Sequence, residues 1–168
     1  MGEAPELSVD GTGRRIALVV ARFNEDVTSA LAAGARAALV GSGVADSDIL
    51  EYHVPGAFEL TPACRQVIAQ DDSLDAIVAL GALIRGETAH FDVLADAVTR
   101  ALMDLAVELN VPLAFGLLTA ESRAQAEERA DPARLDRGGE AARAALAQCA
   151  LFRELAERRG PVRGFRLP

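Results

Sequence analysis

The sequence predicts an α/β fold, a three-layer αβα sandwich built around a mostly parallel sheet of four strands. Four short apolar runs alternate along the chain with segments whose apolar residues recur at helical spacing. Glycine, proline and aspartate clusters separate these segments. Strands that alternate with helices pair in parallel through right-handed crossovers. A chain of 168 residues is long enough to bury the core of one such domain.

The first half of the chain predicts two strand–helix units behind an N-terminal arm at 1–13, which is polar and glycine-rich. The first strand covers 15–21, because a continuous apolar run is typical of a strand buried on both faces. A helical stripe over 27–39 follows, and it ends at the glycines of 41–43. The short run at 49–53 predicts the second strand.

The middle of the chain predicts a second helix over 60–68, because its apolar residues recur at i, i+3, i+4 and i+7, with Pro62 in the first turn. The third strand covers 76–83. The third helix runs to Asn110 and has the strongest periodicity of the chain. Its predicted inward residues are Phe91, Leu94, Ala95, Val98, Leu102, Leu105, Ala106 and Leu109.

The last part of the chain predicts a fourth strand at 113–118, a short helix at 121–130, and a final helix that starts at the glycine pair 138–139. The predicted inward residues of this helix are Ala142, Ala145, Leu146, Cys149 and Phe152. Residues 158–168 are basic and predict an irregular tail. The domain itself is therefore predicted to cover 14–157.

Composition and charge argue against several classes of function. A net charge of −8 and the absence of tryptophan argue against a nucleic-acid-binding surface, which needs basic and aromatic side chains. No apolar run reaches the ~18 residues of a membrane span, and the first run lacks the cleavage pattern of a secretory signal. Cys64 and Cys149 fall on apolar helix faces, so we expect buried free thiols and a cytoplasmic protein.

The loops after the predicted strands bring polar residues to one edge of the sheet, because the carboxyl ends of parallel strands converge there. The most informative loop is Ile84-Arg85-Gly86-Glu87-Thr88-Ala89-His90, between the third strand and the third helix. A helix N-terminus attracts anions, so this loop predicts a phosphate site. His90 is the candidate general acid/base, and an ordinary surface histidine is the alternative.

Three further residues each allow two interpretations. Phe23 lies in a polar loop, where it either stacks on a ring-shaped ligand or covers local apolar surface. Glu59 either complements a helix dipole or accepts hydrogen bonds from ligand hydroxyls. Phe115 lies within a predicted strand and is assigned by default to the core.

The arginines and the histidines bear on whether the chain binds an anion or a metal. The arginines allow two interpretations, and the histidines argue against a metal site. Arg129 and Arg137 either offset the acidity of the chain beside an anion or are solvated surface charges. His53, at the end of a strand, is assigned a structural role. Two histidines without an HxxxH or Cys–His cluster predict no metal site.

Four blocks of the chain, spread over about residues 14–155, resemble the lumazine synthase family. They read ARFN at 21–24, VPGAFE at 54–59, LGALIRGETAHFD at 80–92 and FGLLTAE at 115–121. The resemblance implies a flavodoxin-like strand order. It also implies a transferase of riboflavin biosynthesis that condenses 5-amino-6-(D-ribitylamino)uracil with 3,4-dihydroxy-2-butanone 4-phosphate to give 6,7-dimethyl-8-ribityllumazine, the penultimate step. No cofactor or metal is implied.

The same resemblance implies a homo-oligomer, either a pentamer or an assembly of pentamers, in which two subunits form each site. Phe23 would stack on the pyrimidine, and Phe115 would reach it from the adjacent subunit. His90 would transfer protons. The remaining substrate-binding residues would be Asn24, Ala57 and Glu59 near the ribityl chain, Phe58 in the same loop, the backbone of Ala82, Leu83 and Ile84 at the uracil, and the backbone of Glu87 and Thr88 with Arg129 and Arg137 at the phosphate.

The chain departs from the family pattern at three places. Arg137 stands where the family commonly has lysine, residues 131–135 replace a Gly-Thr-Lys-rich loop, and Ala82 replaces a frequent threonine. These differences leave open a second hypothesis, a catalytically weak paralogue that binds flavin or lumazine or forms a shell. A third, a flavodoxin-like nucleotide binder, lacks a suitable glycine-rich phosphate loop.

Overall fold

Strands and helices alternate through residues 9–159, which are the residues that the computed structural model describes. The strands are β1 (Ile16–Ala21), β2 (Ile49–Val54), β3 (Ala76–Ile84) and β4 (Leu113–Ala120). The helices are α1 (Glu25–Gly41), α2 (Leu60–Gln70), α3 (His90–Glu108), α4 (Arg123–Ala130) and α5 (Arg137–Arg159). Every strand and helix predicted from the periodicity is present.

All four strands pair in parallel, in the spatial order β2-β1-β3-β4. Every residue of the central strand β1 is buried, as expected for a strand covered on both faces. One apolar core lies between the sheet and α1, α4 and α5, and a second lies between the sheet and α2 and α3. The predicted three-layer sandwich with a flavodoxin-like strand order is confirmed.

The periodicity of α3 predicted its inward face correctly, since all of the predicted residues pack in the second core. In α5, Ala142, Ala145, Leu146 and Cys149 are buried as predicted, but the prediction was wrong for Phe152, which is 42% exposed. The reason is that α5 continues to Arg159, and residues 151–158 in its last turns are all exposed. The periodic pattern therefore extends beyond the part of the helix that the core can cover.

Glycines allow α1 and α5 to approach each other closely. A Cβ on Gly138 would lie 2.0 Å from the carbonyl oxygen of Leu31, and a Cβ on Gly34 would lie 2.3 Å from Oδ1 of Asp136. Asp136 accepts the N–H of Gly139 through the same Oδ1 at 3.0 Å. Gly138, one of the two glycines that mark the start of the last helix in the sequence, is thus also required for the packing of α5 against α1.

The two ends of the chain are only partly described. Within the predicted arm, the Gly11 N–H donates to the Ser42 carbonyl at 2.7 Å, and Val9 packs on the first core. Of the predicted tail, Arg158 and Arg159 belong to α5. Residues 1–8 and 160–168 lie outside the described residues.

Both cysteines are buried free thiols, as predicted. Burial raises the pKa of Cys64 to about 12 and that of Cys149 to about 11, because the thiolate loses its hydration. Across residues 9–159, no helix combines the length and apolar character that a membrane span requires.

Candidate active site

A cavity of about 430 Å³ opens at the carboxyl ends of β1, β2 and β3, beside the N-terminus of α3. The strand order reverses between β1 and β3, and open α/β sheets bind ligands at such a point. The predicted site residues that line this cavity are Phe23, Asn24, Ala57, Phe58, Glu59, Ala82, Leu83, Ile84, Thr88 and His90.

Backbone and side-chain hydrogen bonds join the three loops of the cavity. The N–H groups of Arg22 and Phe23 donate to the carbonyls of Val54 and Pro55, at 2.8 and 3.0 Å. Nδ2 of Asn24 donates to the Ala82 carbonyl at 3.1 Å, which ties the loop after β1 to the end of β3. Three segments that are distant in sequence are therefore held at fixed positions relative to one another.

Glu59 closes the turn between β2 and α2. Its Oε2 accepts the N–H of Gly56 at 2.9 Å, and its own N–H donates to the Gly56 carbonyl at 3.3 Å, across the 3₁₀ turn Ala57–Glu59. No other side-chain hydrogen bond to this carboxylate occurs within the described part of the chain. Oε1 therefore has no hydrogen-bond partner within the described residues, and Glu59 lines the cavity.

Two exposed aromatic rings border the cavity. Phe23 is 71% exposed and Phe58 is 68% exposed, and both line the cavity. Neither ring is needed by the core, and exposed phenyl rings beside a concave surface favour a planar, partly apolar ligand.

His90 is the first residue of α3 and is exposed to the cavity. The preceding residue, Ala89, offers no side-chain cap to the helix, so the first N–H groups of α3 are left for an external acceptor. Gly86 and Thr88 line the cavity next to this helix end. An anion placed there would meet backbone donors and the positive end of the helix dipole, with an imidazole at its side.

Three predicted residues on the phosphate side lie away from the cavity wall. Glu87 is exposed in the turn between Gly86 and Thr88. Arg129 is half-buried in the last turn of α4, and within residues 9–159 it forms no ion pair. Arg137, the first residue of α5, forms an ion pair with Glu140. One copy of the chain thus assembles only part of the predicted phosphate site.

The default assignment of Phe115 to the core was wrong. The ring is 48% exposed, and it lies on β4, which is an edge strand of the sheet. Phe115 does not line the cavity of its own chain. An exposed phenyl on a sheet edge is instead available to a neighbouring molecule.

The structure adds five residues to the predicted cavity wall: Pro55, Gly56, Gly86, Phe91 and Leu94. The first three, and Phe91, lie inside sequence blocks that already carried candidates. Phe91 and Leu94 were predicted as inward residues of the third helix, and their spacing from His90 places them on an adjacent helix face. Phe91 and Leu94 lie one and four residues after His90, and this closeness along the helix could have identified them as cavity residues.

His53 lies outside the cavity. Its Nε2 is 3.2 Å from Oε1 of Glu51 on the same strand, and Arg36 pairs with the other carboxylate oxygen at 3.3 Å. In the portion of the chain that is described, no group of three or more His, Cys, Asp or Glu residues is arranged to hold a metal ion.

Comparison with known proteins assigns the chain to a family. The model of the 6,7-dimethyl-8-ribityllumazine synthase family matches residues 13–153. A protein of that name from Gemmatimonas aurantiaca is 48% identical over 142 residues, which cover 84% of this chain and 86% of the relative. Another, from Kineococcus radiotolerans, is 45% identical over 155 residues and covers 91% of this chain and 94% of the relative.

A third relative with the same name, from Anaeromyxobacter dehalogenans, is 46% identical over 158 residues, which cover 94% of this chain and 96% of the relative. The family model covers all four strands and each loop of the cavity. The chain therefore belongs to the 6,7-dimethyl-8-ribityllumazine synthase family.

Proposed function

We propose that this protein condenses 5-amino-6-(D-ribitylamino)uracil with 3,4-dihydroxy-2-butanone 4-phosphate to form 6,7-dimethyl-8-ribityllumazine. An amine of the pyrimidine attacks the ketone and forms an imine with loss of one water, phosphate is eliminated, and the second ring closes with loss of a second water. The observation that carries the proposal is the cavity itself. It joins exposed phenyl rings, a carboxylate, and an imidazole at a helix N-terminus without a side-chain cap.

In this proposal the pyrimidine stacks on Phe23, while Oε1 of Glu59 accepts hydrogen bonds from ribityl hydroxyls. The backbone of 82–84, at the end of β3, provides donors and acceptors for the polar edge of the uracil. Asn24 supports this strand end through its bond to the Ala82 carbonyl. Because each of these groups is already held by the fold, the pyrimidine meets a preformed surface.

The phosphate of the second substrate binds the backbone amides near Gly86 and Thr88. His90, one helical position beyond that turn, then transfers protons between the amine, the carbonyl oxygen and the leaving groups. Most of the acceleration comes from holding amine and ketone together, and acid/base catalysis adds about 10²–10⁴-fold. The reaction involves no net oxidation and therefore requires no redox cofactor.

We further propose that a neighbouring copy completes the site within a pentamer or an assembly of pentamers. The exposed ring of Phe115 supports this, as does Arg129, which is half-buried and forms no ion pair within the described chain. Arg137 belongs to the same proposed contribution. We place the enzyme in the cytoplasm, because free buried thiols are typical of a reducing compartment.

The test of activity is to mix the protein with both substrates and to follow the absorbance and fluorescence of the lumazine. We expect product only when both substrates and the protein are present. A protein that binds the lumazine tightly but forms none of it would be the weak paralogue, and the proposal of catalysis would be rejected.

The shared site is tested by mixing two variants, His90→Ala and Phe115→Ala, unfolding them together and allowing them to reassemble. If each site takes His90 from one copy and Phe115 from the next, about a quarter of the sites in a random mixture carry both natural residues. Activity should then rise above that of either variant alone. No recovery in mixed assemblies, with the oligomer size verified by light scattering, would contradict the shared site.

A further inference from the structure

The turn at Gly86–Ala89 is exposed and weakly held by its own backbone. Arg85, just before it, donates its N–H to the Ala120 carbonyl at 2.9 Å, and the next backbone bond after the turn is from Val93 to Ala89 at 3.2 Å. Between them, within the described chain, no N–H of 86–88 donates to a backbone carbonyl. This is the segment whose amides the proposed phosphate site uses, so something other than its backbone must fix its shape.

The side chain of Arg85 spans this turn from one end to the other. Its Nη1 and Nη2 donate to the two carboxylate oxygens of Asp92, in the first turn of α3, each at 2.8 Å. Its Nε donates to Oε2 of Glu121, just after β4, at 2.6 Å. Every nitrogen of the guanidinium is therefore engaged, and the planar fork fixes the angle as well as the distance between the strand end and the helix.

The same guanidinium covers a wall of the cavity. Its central carbon lies 4.3 Å from the ring centroid of Phe91, which lines the cavity directly after His90. Arg85 itself does not line the cavity. Its effect on a bound substrate must therefore pass through the turn and through the first residues of α3.

We propose that Arg85, through its paired hydrogen bonds to Asp92 and Glu121, is a positioning residue that holds the 86–89 turn and His90 in the geometry that binds substrate phosphate. The inference rests on the proposed function for the identity of the phosphate. Its structural part, a clamp that Arg85 forms on the turn by pairing with Asp92 and Glu121, does not depend on the proposed function. Because Arg85 pairs with carboxylates and does not line the cavity, it orders the anion site without contacting the anion.

The hydrogen bonds of Arg85 also shift pKa values in the directions expected for paired charges. Hydrogen bonds from Arg85 lower the pKa of Asp92 below its ordinary value, and both carboxylates raise the pKa of Arg85. The charges therefore remain in place at neutral pH. Exposed ion pairs of this kind contribute little to global stability, so we expect the clamp to affect the turn rather than the fold.

The decisive variant is Asp92→Asn, which keeps the shape of the side chain but removes one of the two acceptors of the fork. Its matched control is Asp96→Asn, four residues later on α3, which breaks the exposed pair with Arg100 and does not line the candidate cavity. Arg85→Lys keeps the positive charge but loses the fork. All three are expected to unfold at nearly the temperature of the natural protein.

Two measurements are made on the natural protein and on each variant. In Asp92→Asn and Arg85→Lys we expect faster amide hydrogen exchange across 84–92 and a KM for the butanone phosphate raised about tenfold, as for a loosened binding group. The KM for the pyrimidine should stay within about twofold of its value in the natural protein, because the clamp holds only the turn that binds phosphate. A general loss of substrate binding would instead raise the KM values of both substrates. Asp96→Asn should match the natural protein in every readout.

Equal exchange across 84–92 in Asp92→Asn and Asp96→Asn would overturn the clamp. A kcat loss in Arg85→Lys with unchanged exchange and unchanged Asp92→Asn kinetics would overturn it too, since Arg85 would then act directly on the substrate. If the natural protein forms no lumazine, the proposed function fails. In that case the exchange rates across 84–92, and the affinity for inorganic phosphate measured by calorimetry, still test whether Asp92→Asn loosens the turn relative to Asp96→Asn.

Discussion

Asn24 serves the fold and the site at once. Its backbone lies in the left-handed region, with φ 60° and ψ 52°, and its carbonyl accepts the N–H groups of Val27 and Thr28 at the start of α1. Its side chain reaches Ala82 at the end of β3. Asparagine tolerates this backbone better than most residues, so one residue type satisfies both the turn and the cavity.

The two roles of Asn24 separate in a pair of variants. Asn24→Gly loses the bond to Ala82 but relaxes the backbone, whereas Asn24→Ala loses the bond and keeps the strain. We expect Asn24→Ala to be less stable than Asn24→Gly by about 1 kcal/mol, the lower end of the left-handed penalty. Urea unfolding measures the difference, and equal stabilities would show that the turn changes conformation in the variants.

His90 is exposed at the start of α3 and contributes little packing, so its replacement should affect turnover rather than folding. We expect His90→Ala to lower kcat by about 10²–10⁴-fold, the usual range for a positioned acid/base, with small changes in either KM. Residual activity should persist, because proximity remains. Steady-state kinetics that show no loss of kcat would remove the imidazole from the mechanism.

At the scale of elements, the contact between α1 and α5 depends on the absence of a side chain. Gly138→Ala would put a Cβ 2.0 Å from the Leu31 carbonyl oxygen, which belongs to the backbone and cannot move alone. We expect the free energy of unfolding to fall by about 2 kcal/mol or more, because the added methyl group overpacks the contact and separates the two helices. Thermal or urea unfolding measures it.

Gly41→Ala is the matched control, since it also replaces a helical glycine of this layer. A Cβ on Gly41 would meet nothing within 4 Å, so the better helix propensity of alanine should stabilise the protein by about 0.5–1 kcal/mol. Opposite signs for the two variants are therefore expected. A Gly138→Ala protein as stable as the natural one would show that α5 can shift without cost.

At the scale of the whole molecule, the chain contains no lysine, since its basic residues are all arginines. No lysine therefore titrates between pH 9 and 11, so the effect of the buried thiols of Cys64 and Cys149 on the free energy of unfolding is easier to detect in this range. Burial raises both pKa values above the ordinary 9.0, so the folded state keeps protons that the unfolded chain releases. Their stabilising contribution is complete below pH 9 and is lost as the pH rises.

We expect the free energy of unfolding to fall between pH 9 and 11 by up to ~1.4 kcal/mol per pH unit for each thiol. The measurement is urea unfolding across this range. The double variant Cys64→Ala and Cys149→Ala should be less stable at pH 7, because it leaves cavities, but it should show a shallower slope. An identical slope would mean that other groups carry the pH dependence.

Hydrophobic periodicity predicted the order of the elements and the inward face of α3, because burial on one or both sides of an element follows from its spacing of apolar residues. The candidate cavity was predictable in part for the same reason: parallel strands bring their carboxyl ends to one edge. Phe23, Glu59 and His90 were found in this way, although they are far apart in the chain.

The sequence by itself determined the α/β class, the edge of the sheet that carries the cavity, and the block motifs that point to one family, since all three depend on local pattern and residue type. Only the tertiary structure decided that Phe115 lies on an exposed sheet edge, that Phe152 lies beyond the core, and that Arg85 spans the 86–89 turn. Edge exposure, the reach of a helix past its neighbours and the direction of a guanidinium depend on how elements pack together. No local pattern of residues contains that information.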